Sequence, residues 1–266
     1  MSAALGIAPV LANLLVQRGI ETLDEAQRFF NPRLEDLHDP FLMKDMDRAV
    51  ERIAQAVEHH EKIMVYGDYD VDGTTAVALV YSFLRRLGHT DLMFYIPDRY
   101  TEGYGISVKG IDLAHRKGVS LIITLDCGIK AVEKVAYAAE KGIDFIICDH
   151  HLPGEKIPEA VAVLDPKRAD CPYPFKELSG CGVGFKMMQG YCLYKGLPFS
   201  EVERLLDLVV VSIASDIVPL TGENRILAHY GLERLNTKPG KGLHSIIKIC
   251  GLDTHTITID DIVFKI

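Results

Sequence analysis

Residues 62–75 have the sequence KIMVYGDYDVDGTT, and this stretch decides the fold. It opens with an apolar run, Lys62–Gly67, without polar alternation, which is typical of a strand buried on both faces. Three aspartates follow within five residues, and Thr74 and Thr75 then open a helical pattern. A buried strand that passes directly into a helix is the first half of a strand–helix–strand unit. The stretch therefore predicts a parallel sheet with right-handed crossovers.

The same alternation continues to residue 164. Four further apolar runs predict the remaining strands: Asp91–Ile96, Ser120–Leu125, Asp144–Cys148 and Ala160–Leu164. Apolar residues at helical spacing predict helices over 9–18, 43–60, 74–87, 107–117, 130–141, 184–195, 200–215, 223–236 and 241–250. Thr22 and Glu25 have the spacing of a capping box. We expect an α/β fold whose parallel β-sheet is flanked by helices, with an N-terminal helical extension and a mostly helical C-terminal part.

These patterns divide the chain into three parts. We expect residues 1–60 to form an N-terminal helical segment, residues 61–236 the domain that holds the sheet and the functional site, and residues 237–266 the start of a truncated linker or second domain. The sequence stops at Ile266 inside the apolar run 257–266, which predicts that a longer protein continues beyond it.

Composition excludes several classes of protein. With 48% hydrophobic and 25% charged residues, the 266-residue chain can bury a core, and disorder is excluded. No apolar run is long enough to span a bilayer, and the start lacks a secretory signal. The six cysteines form no CxxC pair, so we expect a cytoplasmic protein with reduced thiols. A net charge of −8 opposes nucleic-acid binding by bulk charge, but not by a local basic groove.

Four of the five predicted strands are followed directly by aspartate: Asp68, Asp126, Asp149 and Asp165. Ligands of parallel sheets bind beyond the carboxyl ends of the strands. Because aspartate is also common in turns, each one alone is weak evidence. Together, the four predict a crevice lined by carboxylates.

The motif Asp68-Tyr69-Asp70-Val71-Asp72-Gly73 places three carboxylates so close together that they repel one another unless a cation neutralises them. Hard ions such as Mg²⁺ and Mn²⁺ prefer these oxygen ligands. The string also matches the opening of a calcium-binding EF-hand loop. That interpretation fails because Leu79 occupies the twelfth position, where a glutamate is needed, and because a strand precedes the loop.

Two further motifs add ligands to the predicted crevice. In the pair His150-His151, which follows Asp149, one imidazole can bind a metal while the other faces a phosphate. Asp216 ends an apolar helix, where the helix dipole disfavours a carboxylate, so a compensating cation is expected.

Two stretches are candidates for binding a phosphate or a base. Residues 97–105 supply Arg99 for a phosphate and Tyr104 as a stacking face. The glycine-rich stretch 179–186 offers either a phosphate cradle made by Gly182, Gly184 and Lys186 or close packing of a helix on the sheet. The candidates for a local basic groove are Arg85, Arg86, Arg99, Arg116, Lys130, Lys167, Arg168 and Lys186.

In order along the chain, these motifs resemble those of the DHH phosphoesterase superfamily. The forms YGDYDVDGTTA, PDRYTEGYG, LDCGI, CDHH, LDPKR, SGCGVGFK and ASDIVPL are similar to its RecJ branch of 5′-to-3′ single-strand-specific DNA exonucleases. The resemblance implies metal ligands at Asp68, Asp70, Asp126, His150 and Asp216, with Asp126 bridging two ions. It also implies that His151 contacts the scissile phosphate and that Asp72 and Asp149 support the metal ligands.

The resemblance thus predicts a phosphodiesterase that uses two Mn²⁺ or Mg²⁺ ions to cleave single-stranded DNA, with roles in DNA repair and recombination. A single-strand-binding protein is a candidate second partner, and no membrane partner is expected. The early histidine of the small-substrate members is replaced by Met64, which favours the RecJ branch. Two alternatives stay open. One is a related enzyme for oligoribonucleotides, cyclic dinucleotides or phosphoadenosine phosphate, and the other is a catalytically silent nucleic-acid scaffold.

Overall fold

A computed structural model describes residues 1–266 and contains one sheet of five parallel strands in the order β2-β1-β3-β4-β5. The strands are β1 (Ile63–Gly67), β2 (Leu92–Tyr95), β3 (Leu121–Leu125), β4 (Asp144–Cys148) and β5 (Ala162–Leu164). All five predicted strands are present, each within two residues of its predicted ends. The fold class predicted from the sequence, a parallel sheet flanked by helices, is confirmed.

Thirteen α-helices surround the sheet. They are α1 (Ser2–Leu5), α2 (Pro9–Gln17), α3 (Leu23–Phe30), α4 (Met46–Glu58), α5 (Val71–Arg86), α6 (Val108–Arg116), α7 (Val132–Glu140), α8 (Gly180–Lys195), α9 (Ser200–Glu203), α10 (Leu206–Ser215), α11 (Gly222–Thr237), α12 (Lys241–Ile249) and α13 (Ile259–Lys265). Two single 3₁₀ turns, Leu34–Asp36 and Pro40–Leu42, join α3 to α4. The predicted capping box of α3 is present, since the Thr22 side chain accepts a hydrogen bond from the Glu25 amide.

One predicted helix is divided in the structure, another starts four residues early, and α1 and α13 were not predicted. The helix predicted over 200–215 is divided into α9 and α10, because the Leu205 amide donates to the Val202 carbonyl three residues back and tightens the chain there. The helix predicted from residue 184 starts at Gly180. Its glycines disfavour a helix, but Ser179 caps it by accepting from the Gly182 amide.

Strands β1, β3, β4 and β5 are covered on both faces by two separate apolar clusters, whereas the edge strand β2 is only partly buried. Ile63 and Val65 of β1 belong to the larger cluster of 47 buried residues, together with α4, α5, α8 and α10. Met64 and Tyr66 of β1 point to the opposite face and belong to a cluster of 15 residues with α6 and α7. This double burial explains why the strand sequences show no polar alternation.

Residues 237–266 pack against the larger cluster. Leu243, Ile247, Leu252, Ile257 and Ile262 are all buried in it. The division of the chain at residue 236 stays a prediction. No helix combines the length and the apolar content that crossing a bilayer requires.

A buried ion pair joins α8 to α11. The Lys186 ammonium lies 3.2 Å from Glu223 Oε1 and donates to the His38 carbonyl at 2.6 Å, and neither side chain of the pair is more than 1% exposed. The Tyr173 hydroxyl donates to the other Glu223 oxygen at 2.6 Å. Burial lowers the pKa of Lys186, and the pair is nevertheless satisfied by hydrogen bonds on both sides.

We expect Lys186→Met to lower the free energy of unfolding by about 3–5 kcal/mol, because it leaves the Glu223 carboxylate buried without its cation. The matched control is Lys195→Met on the same helix, whose exposed pair with Glu58 contributes about 0.2–1 kcal/mol. Urea unfolding of the two variants measures both values. Equal costs would contradict a buried, mutually dependent pair.

Candidate metal centre

Strand register sets four carboxylates in a row at the carboxyl edge of the sheet. Gly67 pairs with Leu125, Leu125 with Cys148, and Cys148 with Leu164. The residue that follows each of these four positions is an aspartate: Asp68, Asp126, Asp149 and Asp165. All four are buried. The sequence prediction that these aspartates converge at one edge agrees with this register.

His150 presents a bare ring nitrogen to this row. Its Nδ1 lies 3.0 Å from the Leu178 carbonyl oxygen, which can only accept, so Nδ1 donates to it and the neutral imidazole offers the lone pair of Nε2 to a ligand. Nε2 is buried and has no hydrogen-bond partner. It lies 3.2 Å from Asp126 Oδ1 and 3.6 Å from Asp216 Oδ2. A buried imidazole fixed in this way is arranged as a ligand for a cation.

Asp126 is held in a strained position. Its φ of 60° is in the left-handed region, which costs a non-glycine residue about 1–2 kcal/mol. Its Oδ1 is buried without a hydrogen-bond partner. Burial, followed by the negative charges of Asp72 and Asp70, raises the pKa of Asp126 to about 10. The Asp126 carboxylate therefore needs a positive charge beside it to stay ionised at neutral pH.

Asp68, Asp70 and Asp216 each retain an oxygen for a ligand. Asp68 accepts from the Gly105 amide with Oδ1, and its buried Oδ2 has no partner. Asp70 caps α5 by accepting from the Gly73 amide with Oδ1. Burial raises the pKa of both Asp68 and Asp216.

These donors fit a divalent cation. Two groups of side chains have ligand atoms within 4.8 Å of one another, Asp126 with His150 and His151, and His150 with Asp72 and Asp216. Carboxylate oxygens with a minority of imidazole nitrogens suit Mn²⁺ and Mg²⁺. The unpartnered buried atoms of Asp68, Asp126 and His150 are costly to leave unsatisfied, and a bound cation would satisfy them.

Asp72 differs from Asp68, Asp126 and Asp216, because the protein itself occupies both of its oxygens. They accept from the Gly180 and Cys181 amides, each at 2.7 Å, and from the Ser212 hydroxyl at 2.8 Å. The first two donors belong to the N-terminal turn of α8, which favours an anion. Asp72 therefore links α8 and α10 to the candidate metal centre, which agrees with the prediction that it supports the metal ligands.

The glycine-rich stretch does not form the predicted phosphate cradle. Its first amides bind Asp72, and the Gly182 amide donates to Ser179 Oγ at 3.1 Å. A Cβ on Gly184 would lie 3.1 Å from the Leu125 side chain, so Gly184 serves close packing of helix on sheet. The alternative interpretation of this stretch is therefore the correct one, and the proposed phosphate contacts of Gly182 and Gly184 are wrong.

The predicted phosphate contact of Lys186 is also wrong, because its ammonium is fully buried against Glu223. Arg168 is likewise only 7% exposed and pairs with Asp45 and Asp170. Arg85, Arg86 and Arg116 end helices that begin at the carboxyl edge of the sheet, so they lie towards its opposite edge. The remaining candidates for a basic groove are Arg99, Lys130 and Lys167.

His151 is the accessible imidazole of the site, with 43% of its side chain exposed. Its Nδ1 lies 2.7 Å from Asp149 Oδ1, and this hydrogen bond raises the pKa of His151. Although burial opposes it, the hydrogen bond from His151 lowers the pKa of Asp149. The Ile129 amide also donates to Asp149, which fixes the carboxylate and, through it, the His151 ring. The pair can present a positive charge to an anion in the cleft.

Tyr104 and Arg99 border the same cleft. The Tyr104 hydroxyl lies 3.2 Å from His151 Nε2, and the Arg99 guanidinium lies over the Tyr69 ring. Tyr104 and His151 also line a cavity of about 200 Å³ together with Lys130 and Lys134. Both residues predicted from the 97–105 stretch thus lie beside the metal centre.

Sequence reasoning missed Ser179, Ser212 and Lys134. The Ser212 hydroxyl donates its one proton to Asp72, and its oxygen accepts from the Ser179 hydroxyl at 2.6 Å, which joins α10 to the start of α8. Serine and lysine are common surface residues without a distinctive spacing. The only signal available for Ser212 was its place in the apolar helix that Asp216 ends.

Comparison with known proteins agrees with this site. The sequence model described as DHH family, N-terminal domain, matches residues 62–213. The single-stranded-DNA-specific exonuclease RecJ of Bacillus subtilis is 44% identical over 253 residues, which is 95% of this chain and 31% of that protein. The RecJ of Escherichia coli is 33% identical over 98% of this chain and 46% of that protein. The chain therefore spans less than half the length of these curated relatives.

A solved structure described as exonuclease RecJ bound to manganese matches with a TM-score of 0.77 at 30% identity, covering 88% of this chain and 57% of that one. The family model covers more than half of the chain, from β1 into α10, and includes the strand-end aspartates and the histidine pair. The chain belongs to the DHH family.

Proposed function

We propose that this chain hydrolyses phosphodiester bonds of single-stranded DNA from the 5′ end with the help of two divalent ions, Mn²⁺ or Mg²⁺. One observation carries the proposal. The bare Nε2 of His150 lies 3.2 Å from an unpartnered Asp126 oxygen and 3.6 Å from Asp216, at the edge of the sheet where ligands bind.

The ligands that we propose for the two ions are Asp68, Asp70, Asp126, His150 and Asp216, with Asp126 bridging. Each of them keeps a donor atom that no other group of the chain occupies, as described above. When bound, such ions make water a better nucleophile and offset the charge that develops on the leaving 3′-oxygen.

His151 is the residue of the chain that we expect to touch the scissile phosphate. It is exposed to the cleft, and Asp149 holds its ring in place and favours its protonated form. A protonated imidazole donates a charge-assisted hydrogen bond to a phosphate oxygen and so orients it for attack. Asp72 supports the site from behind, since it anchors α8 and α10.

The substrate is proposed by similarity. The relatives in Bacillus subtilis and Escherichia coli are named single-stranded-DNA-specific exonucleases, but this chain covers only 31% and 46% of their lengths. A single-strand-binding protein is the second partner that we propose, because it would occupy the same substrate. We place the activity in the cytoplasm, where the six free cysteines would stay reduced.

We expect Asp126→Asn to reduce Mn²⁺-dependent release of nucleotides from 5′-labelled single-stranded DNA by at least about 100-fold, because it removes the bridging carboxylate. The matched control is Asp91→Asn, which changes an exposed aspartate just before β2, at the amino edge of the sheet. Cleavage that continues in the presence of a chelator would contradict the proposal. An Asp126→Asn variant as active as the parent would contradict it as well. Faster hydrolysis of dinucleotides than of DNA would favour the small-substrate enzyme instead.

We also expect Mn²⁺ to stabilise the folded chain without any substrate. A ligand at 100 times its Kd adds about 2.7 kcal/mol to the free energy of unfolding. Melting curves with and without Mn²⁺ should therefore differ for the parent and for Asp91→Asn, and the difference should largely vanish in His150→Ala. A parent that Mn²⁺ does not stabilise would support the silent scaffold.

A further inference from the structure

A series of ring contacts runs from the surface to the metal centre. The Arg99 guanidinium carbon lies 4.9 Å from the centre of the Tyr69 ring. Tyr69 meets Tyr104 edge to face with ring centres 6.4 Å apart, and Tyr104 meets His151 at 5.9 Å. His151 in turn contacts His150 at 4.7 Å. Tyr69, which lies between Asp68 and Asp70, therefore connects an exposed arginine to the proposed metal ligands.

We propose that Tyr69 is a stacking surface for one unpaired nucleobase of the substrate, which takes the place of the Arg99 guanidinium over the ring while Tyr104 stays at its edge. This inference rests on the proposed function, since it names how the same site holds its single strand. Tyr69 is half-buried and Tyr104 is 53% exposed, so both rings are within reach of a ligand.

Hydrogen bonds within the protein already hold the loop that carries Arg99 and Tyr104 in place. Asp98 Oδ1 accepts from the Tyr100 and Thr101 amides and so fixes the turn. Glu102 accepts from the Tyr95 and Ser107 hydroxyls at 2.6 and 2.7 Å, which ties the loop to β2 and to the start of α6. A binding surface that is ordered before the ligand arrives loses less entropy on binding.

The end of the loop is attached to the metal centre itself. Gly105 has a φ of +77° and its amide donates to Asp68 at 3.2 Å. A side chain would be strained in this left-handed backbone. The position of Tyr104 beside Tyr69 is therefore set by the same carboxylate that we propose as a metal ligand.

The relative strengths of the contacts favour exchange of the guanidinium for a base. An exposed contact between an arginine and an aromatic ring contributes about 2- to 5-fold to an equilibrium constant. Stacking of a base on an aromatic side chain contributes about 5- to 150-fold to affinity. A base can therefore displace Arg99 from the Tyr69 ring, and the freed guanidinium can then bind the adjacent phosphate.

Stacking on Tyr69 would also select for single strands. In a duplex, both faces of an internal base are covered by its neighbours, and exposing one face costs unstacking and unpairing. In a single strand, a base can turn one face to a protein ring at little cost. The contact is tolerant of sequence, because every base has a flat aromatic face.

The test compares Tyr69→Ala, Tyr69→Phe and the parent on oligonucleotides in which one of the first three nucleotides from the 5′ end is abasic. On the intact oligonucleotide with Mn²⁺, we expect Tyr69→Ala to lower kcat/KM about 5- to 150-fold and Tyr69→Phe to stay within about twofold. We expect the loss in Tyr69→Ala to disappear when the abasic nucleotide occupies one particular position. Tyr100→Ala, which removes a 92% exposed ring from the same loop, should behave as the parent does.

A loss in Tyr69→Ala that is the same at every abasic position, or no loss at all, would overturn the inference. The shift in melting temperature caused by Mn²⁺ should be unchanged in Tyr69→Ala, and its disappearance would also overturn the inference, because Tyr69 would then shape the metal centre. If the parent itself cleaves no single strand with Mn²⁺, the proposed function fails and this inference fails with it.

Discussion

Repulsion among carboxylates at the carboxyl edge of the sheet is the constraint on which the rest of the structure depends. Parallel register sets Asp68, Asp126, Asp149 and Asp165 side by side, and burial takes them out of water. Burial raises the pKa of Asp126 to about 10 and of Asp165 to about 7. A protein that keeps such a cluster has to supply positive charge from somewhere.

The chain supplies part of this charge itself and leaves the rest to a ligand. The N-terminal turn of α8 satisfies Asp72, and the ring of His151 satisfies Asp149. Asp68 and Asp126 keep oxygens without a partner, and His150 keeps a bare nitrogen. Close packing makes this division possible, because a Cβ on Gly180 would lie 2.6 Å from the Asp126 side chain. The glycine there lets α8 approach Asp126 and reach Asp72.

Local patterns were enough to predict most of the fold and the position of the site. Unbroken apolar runs marked all five strands. Four of these strands are buried on both faces, which favours apolar residues throughout, and the partly exposed edge strand β2 is apolar as well. The aspartate after each of four strands was informative for a related reason, since the ends of parallel strands share one edge. The histidine pair was informative because it follows Asp149, and Asp216 because it ends an apolar helix, whereas their separate roles came from the resemblance to a known family.

The sequence by itself determined the alternation of strands and helices and the carboxylates that follow the strands, because both depend only on residues that are neighbours along the chain. Only the tertiary structure decided which donors satisfy which acids. Gly180 is 108 positions from Asp72 along the chain and Ser212 is 140, and no local pattern records such pairs. For the same reason Lys186 looked like a phosphate ligand and proved to be the buried partner of Glu223, 37 residues away. The sequence determines the charge of a side chain, whereas the fold determines its solvation and its ion-pair partner.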